Sequence, residues 1–446
     1  METNDITRRR VITALGGMGA AGLAGCTNGT TNSGASETVK IGVLQPLTGD
    51  LKYYGQQSLW GFYEGLNHKS DDRFTAEAKT GEKTVTIGGT DYVLLVRDTQ
   101  LDANRAQSLA TDLVQDDDVD LLFGCASSSS ATQVATTVTK QAQVPTMVGP
   151  AASASLTANS ETCSQYLFRA SENTAMDARS GGAYIAKNSE VSKVYLFGAD
   201  YSFGRAVVEN YRTVLENNGV EIVGEKFVPQ GYSEWQGLLD NAEKARADGI
   251  VAGFTVATLP QLFTTFLNGE YSYRVFGGFA TKITVSIIGK TLQKVLGKPL
   301  TEKKLKGTGL GPFTTRYHWN QYDNEINSSF VDSYTTAYGV VPDLFSSGTF
   351  TAASAIVQAV EESGSTASDD VVSALREMTV TASPKGKNAY TFEKHNQARS
   401  AMTLANSVPS SQKNWEAPIK PSEPLARVSA DRTTIPTDNS EMNCQL

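Results

Sequence analysis

Histidine and cysteine are scarce in this chain, with three and four among 446 residues. So few imidazole and thiol groups leave little material for a zinc site. Basic residues are also in the minority, because 39 lysines and arginines stand against 47 acidic residues and the net charge is −8. A chain of this sign lacks the basic footprint that a nucleic acid requires. We therefore expect no nucleic-acid partner, no metal and no cofactor.

Long apolar runs are also missing. The run from Val11 to Ala24 falls short of the roughly 20 residues that span a bilayer. A twin-arginine pattern, Arg8-Arg9-Arg10-Val11-Ile12, precedes it, and Leu23-Ala24-Gly25-Cys26 follows it and resembles a lipobox. We predict an export signal of the twin-arginine lipoprotein type at residues 1–25. It would leave a lipid on Cys26 at the outer face of the cell membrane, and a flexible, polar tether at residues 26–37. Such a signal on an acidic body resembles the lipoproteins of halophilic archaea.

Three cysteines remain if Cys26 carries a lipid: Cys125, Cys163 and Cys444. A disulfide can form outside the cytoplasm. A bridge to Cys444 would hold a C-terminal segment that would otherwise fray. We favour a Cys163–Cys444 pair with Cys125 buried and free, while the other pairings stay open.

The body of the chain alternates short apolar runs with amphipathic segments. Residues 39–44 and 121–123 predict buried strands, and the apolar stripe Ala106, Leu109, Ala110, Leu113 and Val114 predicts a helix between them. The same rhythm returns after residue 190, with a second stripe at Val207, Val208, Tyr211, Val214 and Leu215. We predict an α/β fold with two doubly wound parallel-sheet lobes. In such sheets, sites lie at the carboxyl ends of the strands.

Three loops follow predicted strands and carry small or polar residues, at 124–130, 149–155 and 198–205. The first, Gly124-Cys125-Ala126-Ser127-Ser128-Ser129-Ser130, also opens a helix. Free N–H groups and the dipole at a helix start favour an anion, and serine hydroxyls add donors. The plainer interpretation is a serine that only caps the helix.

These loops carry a family resemblance when they are taken together. Pro46-Leu47-Thr48-Gly49 with Tyr54-Gly55, the serine loop, Gly149-Pro150-Ala151-Ala152-Ser153 and Asp200-Tyr201-Ser202-Phe203-Gly204 occur in that order. From about residue 38 to 405, the chain resembles extracellular solute-binding proteins of the type I periplasmic-binding class. The resemblance is to the branched-chain amino acid (leucine/isoleucine/valine) group, which serves ABC importers.

The resemblance implies two lobes joined by three hinge crossings that close on a small-molecule ligand, with ABC permease subunits as partners. The lobe boundaries that follow are 38–171 and 314–378 for lobe 1, 172–313 and 379–408 for lobe 2, and 409–446 for a C-terminal tail that runs over the surface. The resemblance also implies a binding protein and not an enzyme.

The family's ligand contacts carry over to positions in this chain. Ser128, with Ser129 beside it, would bind the ligand carboxylate, helped by backbone near Ala151 and by Ser153. The aromatic residues carried over are Tyr54, Tyr201 and Phe345.

Two positions depart from the pattern, because Thr255 stands where leucine binders have a tyrosine and Phe279 stands where they have the acid that pairs with the ligand ammonium. A buried ammonium without a counter-charge is costly. We therefore expect a ligand that keeps a carboxylate but lacks an α-ammonium, such as an aromatic or short aliphatic acid. Glu172, near the first predicted crossing, is the alternative source of a negative charge and would supply it from another direction.

Two rival functions remain at this stage. A ligand-sensing receptor would use the same fold and the same cleft. An α/β enzyme is the less favoured rival, since the chain has no G-x-S-x-G nucleophile motif. His395 lies in a late segment shared with the family, and we expect it to be a structural surface residue.

Overall fold

The computed structural model describes residues 37–49 and 51–446. The predicted signal at 1–25, the lipidation site Cys26 and nearly all of the tether lie outside the described residues. In the part that the structure describes, none of the helices combines the length and the hydropathy of a membrane span.

The first lobe is built on a six-stranded sheet with the order β2-β3-β1-β4-β5-β6. All neighbours pair in parallel except the edge strand β2, which is antiparallel to β3. The strands are β1 (Thr38–Gln45), β2 (Gly81–Ile87), β3 (Thr90–Asp98), β4 (Leu121–Gly124), β5 (Thr146–Val148) and β6 (Leu167–Arg169). The helices are α1 (Lys52–Lys69), α2 (Ala103–Gln115), α3 (Ser128–Val134), α4 (Lys140–Ala142) and α5 (Ser155–Ala158).

The sequence pattern explains these elements. In β1 most side chains are buried, as is typical of a central strand with both faces covered. The predicted stripe lies on α2, where Ala106, Ala110, Leu113 and Val114 face the core. The carboxylate of Asp102 begins this helix by accepting the Arg105 backbone N–H at 2.7 Å.

The second lobe has a seven-stranded sheet whose central strands are parallel. Its first strands are β7 (Lys193–Ala199), β8 (Glu221–Val228), β9 (Gly249–Gly253), β10 (Arg274–Gly278) and β11 (Leu310–Thr315). The helices that accompany them are α6 (Thr174–Asp177), α7 (Ala183–Asn188), α8 (Ser202–Asn217), α9 (Gln236–Lys244), α10 (Leu259–Asn268), α11 (Lys282–Leu296) and α12 (Glu302–Lys306). The second predicted stripe lies on α8 and is buried along its whole length.

After β11 the chain returns to the first lobe and forms α13 (Glu325–Tyr338), α14 (Ser346–Ser363) and α15 (Ser368–Leu375). A small antiparallel sheet of β12 (Thr379–Val380), β13 (Tyr390–Phe392) and β14 (Ala398–Arg399) follows. Val380, Tyr390, Phe392 and Ala398 belong to the same buried cluster as β1 and α1. Residues 379–399 are therefore part of the first lobe, and their expected assignment to the second lobe is wrong. The third crossing lies near residue 400.

The C-terminal segment as far as β18 is a structural part of the second lobe. It contributes β15 (Met402–Ala405), β16 (Ser407–Pro409), β17 (Ile419–Pro421) and β18 (Ala426–Val428). β15 and β18 extend the second sheet in antiparallel fashion beside β11. Trp415 is fully buried, and its indole N–H donates to the Ile419 carbonyl at 2.8 Å. The expectation of a tail that only runs over the surface is therefore wrong.

The fold class expected from the sequence is confirmed: the chain is α/β, in two lobes, with each sheet mixed at its edge and not purely parallel. Cys163 and Cys444 form a disulfide with a Cα–Cα distance of 6.0 Å. This is the pairing that the sequence favoured, and it joins the end of the chain to the first lobe. Cys125 is buried and free.

Candidate functional site

A cavity of about 140 Å³ lies between the two lobes, at the carboxyl ends of their strands. Its wall is mainly apolar and aromatic. Six of the nine residues that the sequence indicated for ligand binding line it: Tyr54, Ser128, Tyr201, Thr255, Phe279 and Phe345. Ser129, Ala151 and Ser153 lie beside or behind the wall.

The turn that positions Ser128 begins at Gly124, where only glycine fits. Gly124 ends β4 with φ +142°, and a Cβ there would lie 2.3 Å from the Leu44 carbonyl oxygen. Ser127 then caps α3, accepting the Ser130 N–H at 3.4 Å. Helix α3 continues without a break through a π-helical stretch, Ala135–Thr139, into α4. The start of a long helical segment therefore faces the cavity at Ser128.

The hydroxyl of Ser128 is oriented by its neighbour loop. Its Oγ accepts the Ser153 backbone N–H at 3.1 Å, which leaves its own O–H free to donate. Ser153 and Ala151 are buried behind it, and the Ala151 N–H is already donated to the Cys125 carbonyl at 2.9 Å. These two residues thus support Ser128 and do not reach the cavity themselves.

Arg169 holds this loop from behind. Its Nη1 donates to the carbonyl oxygens of Ala151 and Ser153 at 3.1 and 2.6 Å, and the side chain is fully buried. Among the described residues no carboxylate pairs with it. Burial, and to a smaller extent the charge of Arg316, lower the pKa of Arg169 to about 9, so it stays cationic at neutral pH. A buried positive charge behind the serine turn favours an anion in front of it.

Aromatic side chains and hydroxyls join the lobes across the cavity. The phenol oxygen of Tyr54 accepts the Val256 backbone N–H from the second lobe at 2.9 Å, and the Tyr54 ring lies 5.3 Å from the Phe345 ring. Burial raises the pKa of Tyr54 to about 12, so the phenol stays protonated. Ser129 Oγ lies 3.3 Å from Ser202 Oγ of the facing lobe. The two lobes are in contact, as in a closed clamp.

The cavity also contains an ion pair that the sequence motifs did not indicate. Arg316 follows β11 and Asp177 ends α6, and both line the wall. Arg316 Nη2 donates to Asp177 Oδ2 at 2.5 Å, and Nε reaches both carboxylate oxygens at 3.2–3.3 Å. Thr314 Oγ1 donates to Asp177 Oδ1 at 3.3 Å. Burial alone would lower the pKa of Arg316, but Asp177 more than offsets this and raises it above the ordinary value.

This pair corrects the charge balance expected at Phe279. Phe279 lines the cavity. The Asp177 carboxyl lies beside the preceding residue, since a Cβ placed on Gly278 would be 3.8 Å from it. An acid is therefore present near the position where none was expected, and Arg316 neutralises it. Glu172 is not the alternative counter-ion, because it is 2% exposed, away from the cavity wall, and pairs with Lys385 at 2.7 Å.

One signal in the sequence could have identified Arg316: it directly follows a strand, β11, and sites in such sheets lie at the ends of strands. The partner could not be found in this way, because Asp177 lies 139 residues earlier, on a different crossing.

The sequence profile of a family described as periplasmic binding protein matches residues 38–413. The chain belongs to this family. That span contains the first lobe, the second lobe up to β16 and every cavity residue named above. Several solved structures that this binding protein resembles are solute- or substrate-binding proteins of ABC transporters.

Among curated proteins, the binding protein is similar to Leu/Ile/Val-binding protein homolog 8 of Brucella abortus (strain 2308). The two are 25% identical over 403 residues, which cover 86% of this chain and 91% of the relative.

Among solved structures, a branched-chain amino acid transporter protein of Rhodopseudomonas palustris CGA009 has a TM-score of 0.68 at 23% identity, over 90% of this chain and 100% of that one. A solute-binding protein of Rhodopseudomonas palustris BisB5, solved with 3,4-dihydroxybenzoic acid, has a TM-score of 0.68 at 19% identity, over 88% and 98%.

Proposed function

We propose that this protein is the substrate-binding lipoprotein of an ABC importer and that it captures a small carboxylic acid without an α-ammonium group. The acid would be aromatic or short and aliphatic. The ligand docks on the first lobe through Ser128, and the second lobe closes over it by hinge motion.

One observation supports this ligand class above the others. Among the described residues that line the cavity, Asp177 is the one acid, and it is already paired with Arg316. A ligand ammonium would find no unpaired negative charge there. The carboxylate end, in contrast, meets the free hydroxyl of Ser128, the start of a helix and the buried charge of Arg169. The aromatic wall suits a planar or apolar body, and the dihydroxybenzoate-bound neighbour shows that this fold accommodates one.

Calorimetric titration tests the ligand class directly. We expect benzoate-type or short aliphatic acids to bind at least about a hundredfold more tightly than leucine, because a buried, unpaired ammonium costs several kcal/mol. Ser128→Ala should weaken binding of the acid by more than about tenfold, since it removes a donor to a charged group. Ser130→Ala is the matched control: it removes a hydroxyl from the same helix turn, at a residue that does not line the cavity. Tight leucine binding would overturn the ligand class.

The anchor is a separate part of the proposal and rests on the sequence alone. Wild-type protein should sediment with membranes, whereas Cys26→Ser should be released outside the cell. Replacing Arg8 and Arg9 by lysine should leave the unprocessed chain inside. Cys125→Ser is the matched control and should not change the location, because that thiol is buried in the fold. Membrane retention of Cys26→Ser would show that no lipid is attached there.

A further inference from the structure

Arg316 has donor capacity that its ion pair does not use. Its Nε and Nη2 are engaged by Asp177, but Nη1, which carries two N–H groups, has no hydrogen-bond partner among the described residues. The side chain is 11% exposed, and it lines the ligand cavity. A ligand that fills the cavity would displace water from Nη1, so it must itself supply an acceptor there or leave the donor unpaired.

Asp177 restricts what that acceptor can be. The carboxylate is 7% exposed and lines the same wall, so a second anion bound to Nη1 would lie beside a negative charge. A cation would lie beside Arg316. The pair as a whole is neutral, and it offers both a donor and an acceptor. A neutral group that accepts from Nη1 and donates to the Asp177 carboxylate satisfies both sides.

We propose that Arg316 and Asp177 determine specificity by recognising a hydroxyl group on the ligand, at the end opposite its carboxylate. The inference rests on the proposed function, and it narrows the ligand class to hydroxylated carboxylic acids. Ser128 binds the carboxylate in the first lobe, while the ends of α6 and β11 present the pair from the hinge side. Recognition at both ends would reject an unsubstituted acid, because Nη1 would then stay unpaired in the closed cavity.

Two matched ligand pairs test this by calorimetry on the purified protein: benzoate with 4-hydroxybenzoate, and hexanoate with 6-hydroxyhexanoate. In at least one pair, the hydroxylated acid should bind at least about tenfold more tightly, as expected for a buried hydrogen-bonding site that loses its partner. Terephthalate, with a second carboxylate, should bind more weakly than 4-hydroxybenzoate.

The variant Asp177→Asn/Arg316→Gln removes both charges and keeps the wall neutral. The preference for the hydroxyl should fall to within about threefold, because the hydroxylated acid loses its partners and the unsubstituted acid no longer leaves Nη1 unpaired, so the affinity for the unsubstituted acid should rise. Arg179→Gln/Glu441→Gln is the matched control. It removes another partly buried pair, joined at 3.2 Å, whose residues do not line the cavity, and it should leave the preference unchanged.

Three results would overturn the inference. If hydroxylated and unsubstituted acids bind equally to the wild type, the pair does not recognise a hydroxyl, although the proposed function stands. If the double variant loses all affinity for the unsubstituted acid while Ser128→Ala does not, Arg316 binds the carboxylate instead. If none of the acids binds, the proposed ligand class fails, and this inference fails with it.

Discussion

The buried charged side chains of this protein differ in whether a side chain of opposite charge neutralises them. Glu172 and Lys385 are almost fully enclosed and pair with each other, so they serve the hinge region and not the ligand. Arg169 is equally enclosed but is held by carbonyl and amide oxygens, so its charge is not cancelled by a carboxylate in the described part of the chain. The charge of Arg169 can therefore favour an anion at the serine turn in front of it.

Burial of a titratable side chain without an opposite charge also makes the stability of the fold depend on pH, and His395 is the example. The sequence indicated a surface residue, but the side chain is 4% exposed in the turn between β13 and β14. Burial lowers its pKa from 6.5 to about 4. Between these values the unfolded chain binds a proton that the folded chain does not, so stability falls as the pH decreases. From pH 7.5 to 5.0 this residue should cost about 2 kcal/mol of unfolding free energy.

Urea unfolding of the wild type and of His395→Gln at both pH values isolates this contribution. The wild type should lose more stability than the variant on acidification, and the variant should show the smaller slope whatever its stability at pH 7.5. Equal losses would mean that His395 is protonated in the folded state.

At the residue scale, the sequence predicted those ligand contacts that belong to a single motif. Ser128, Tyr54 and Tyr201 each follow a strand or open a helix within a recognisable loop, and all three line the cavity. Asp177 and Arg316 could not be predicted as a pair, because their interaction depends on two crossings that meet only in the folded chain.

At the level of elements, long periodic segments were predictable and short ones were not. The helices α2 and α8 have 13 and 16 residues, more than three turns each, and their buried faces match the sequence pattern. The strands β12, β13 and β14 have only two or three residues each, too few to show a period. Their burial against the first lobe, and that of Trp415 against the second, is decided by tertiary packing.

At the level of the whole molecule, a small set of contacts holds the lobes closed. Asp343, which precedes α14 in the first lobe, accepts from the Tyr53 hydroxyl at 2.7 Å and from the Lys282 backbone N–H at 2.8 Å. Lys282 begins α11 of the second lobe, so a carboxylate from one lobe lies at the start of a helix in the other. The helix dipole favours that charge. Opening of the cleft would separate Asp343 from Lys282 but not from Tyr53.

Asp343→Asn should therefore weaken closure more than folding. The amide keeps the shape of the side chain but loses the charge. The Leu344 backbone N–H now donates to Asp343 Oδ1 at 2.8 Å, and the NH₂ group of the amide would set one donor against another there. We expect about a five- to thirtyfold loss of affinity for the acid that binds the wild type, because less of the protein is in the closed state. Small-angle scattering without ligand should give a larger radius of gyration than for the wild type. Asp332→Asn, an exposed site on α13 of the same lobe, is the charge-matched control and should change neither quantity. Unchanged affinity and size in Asp343→Asn would show that this contact follows closure and does not stabilise it.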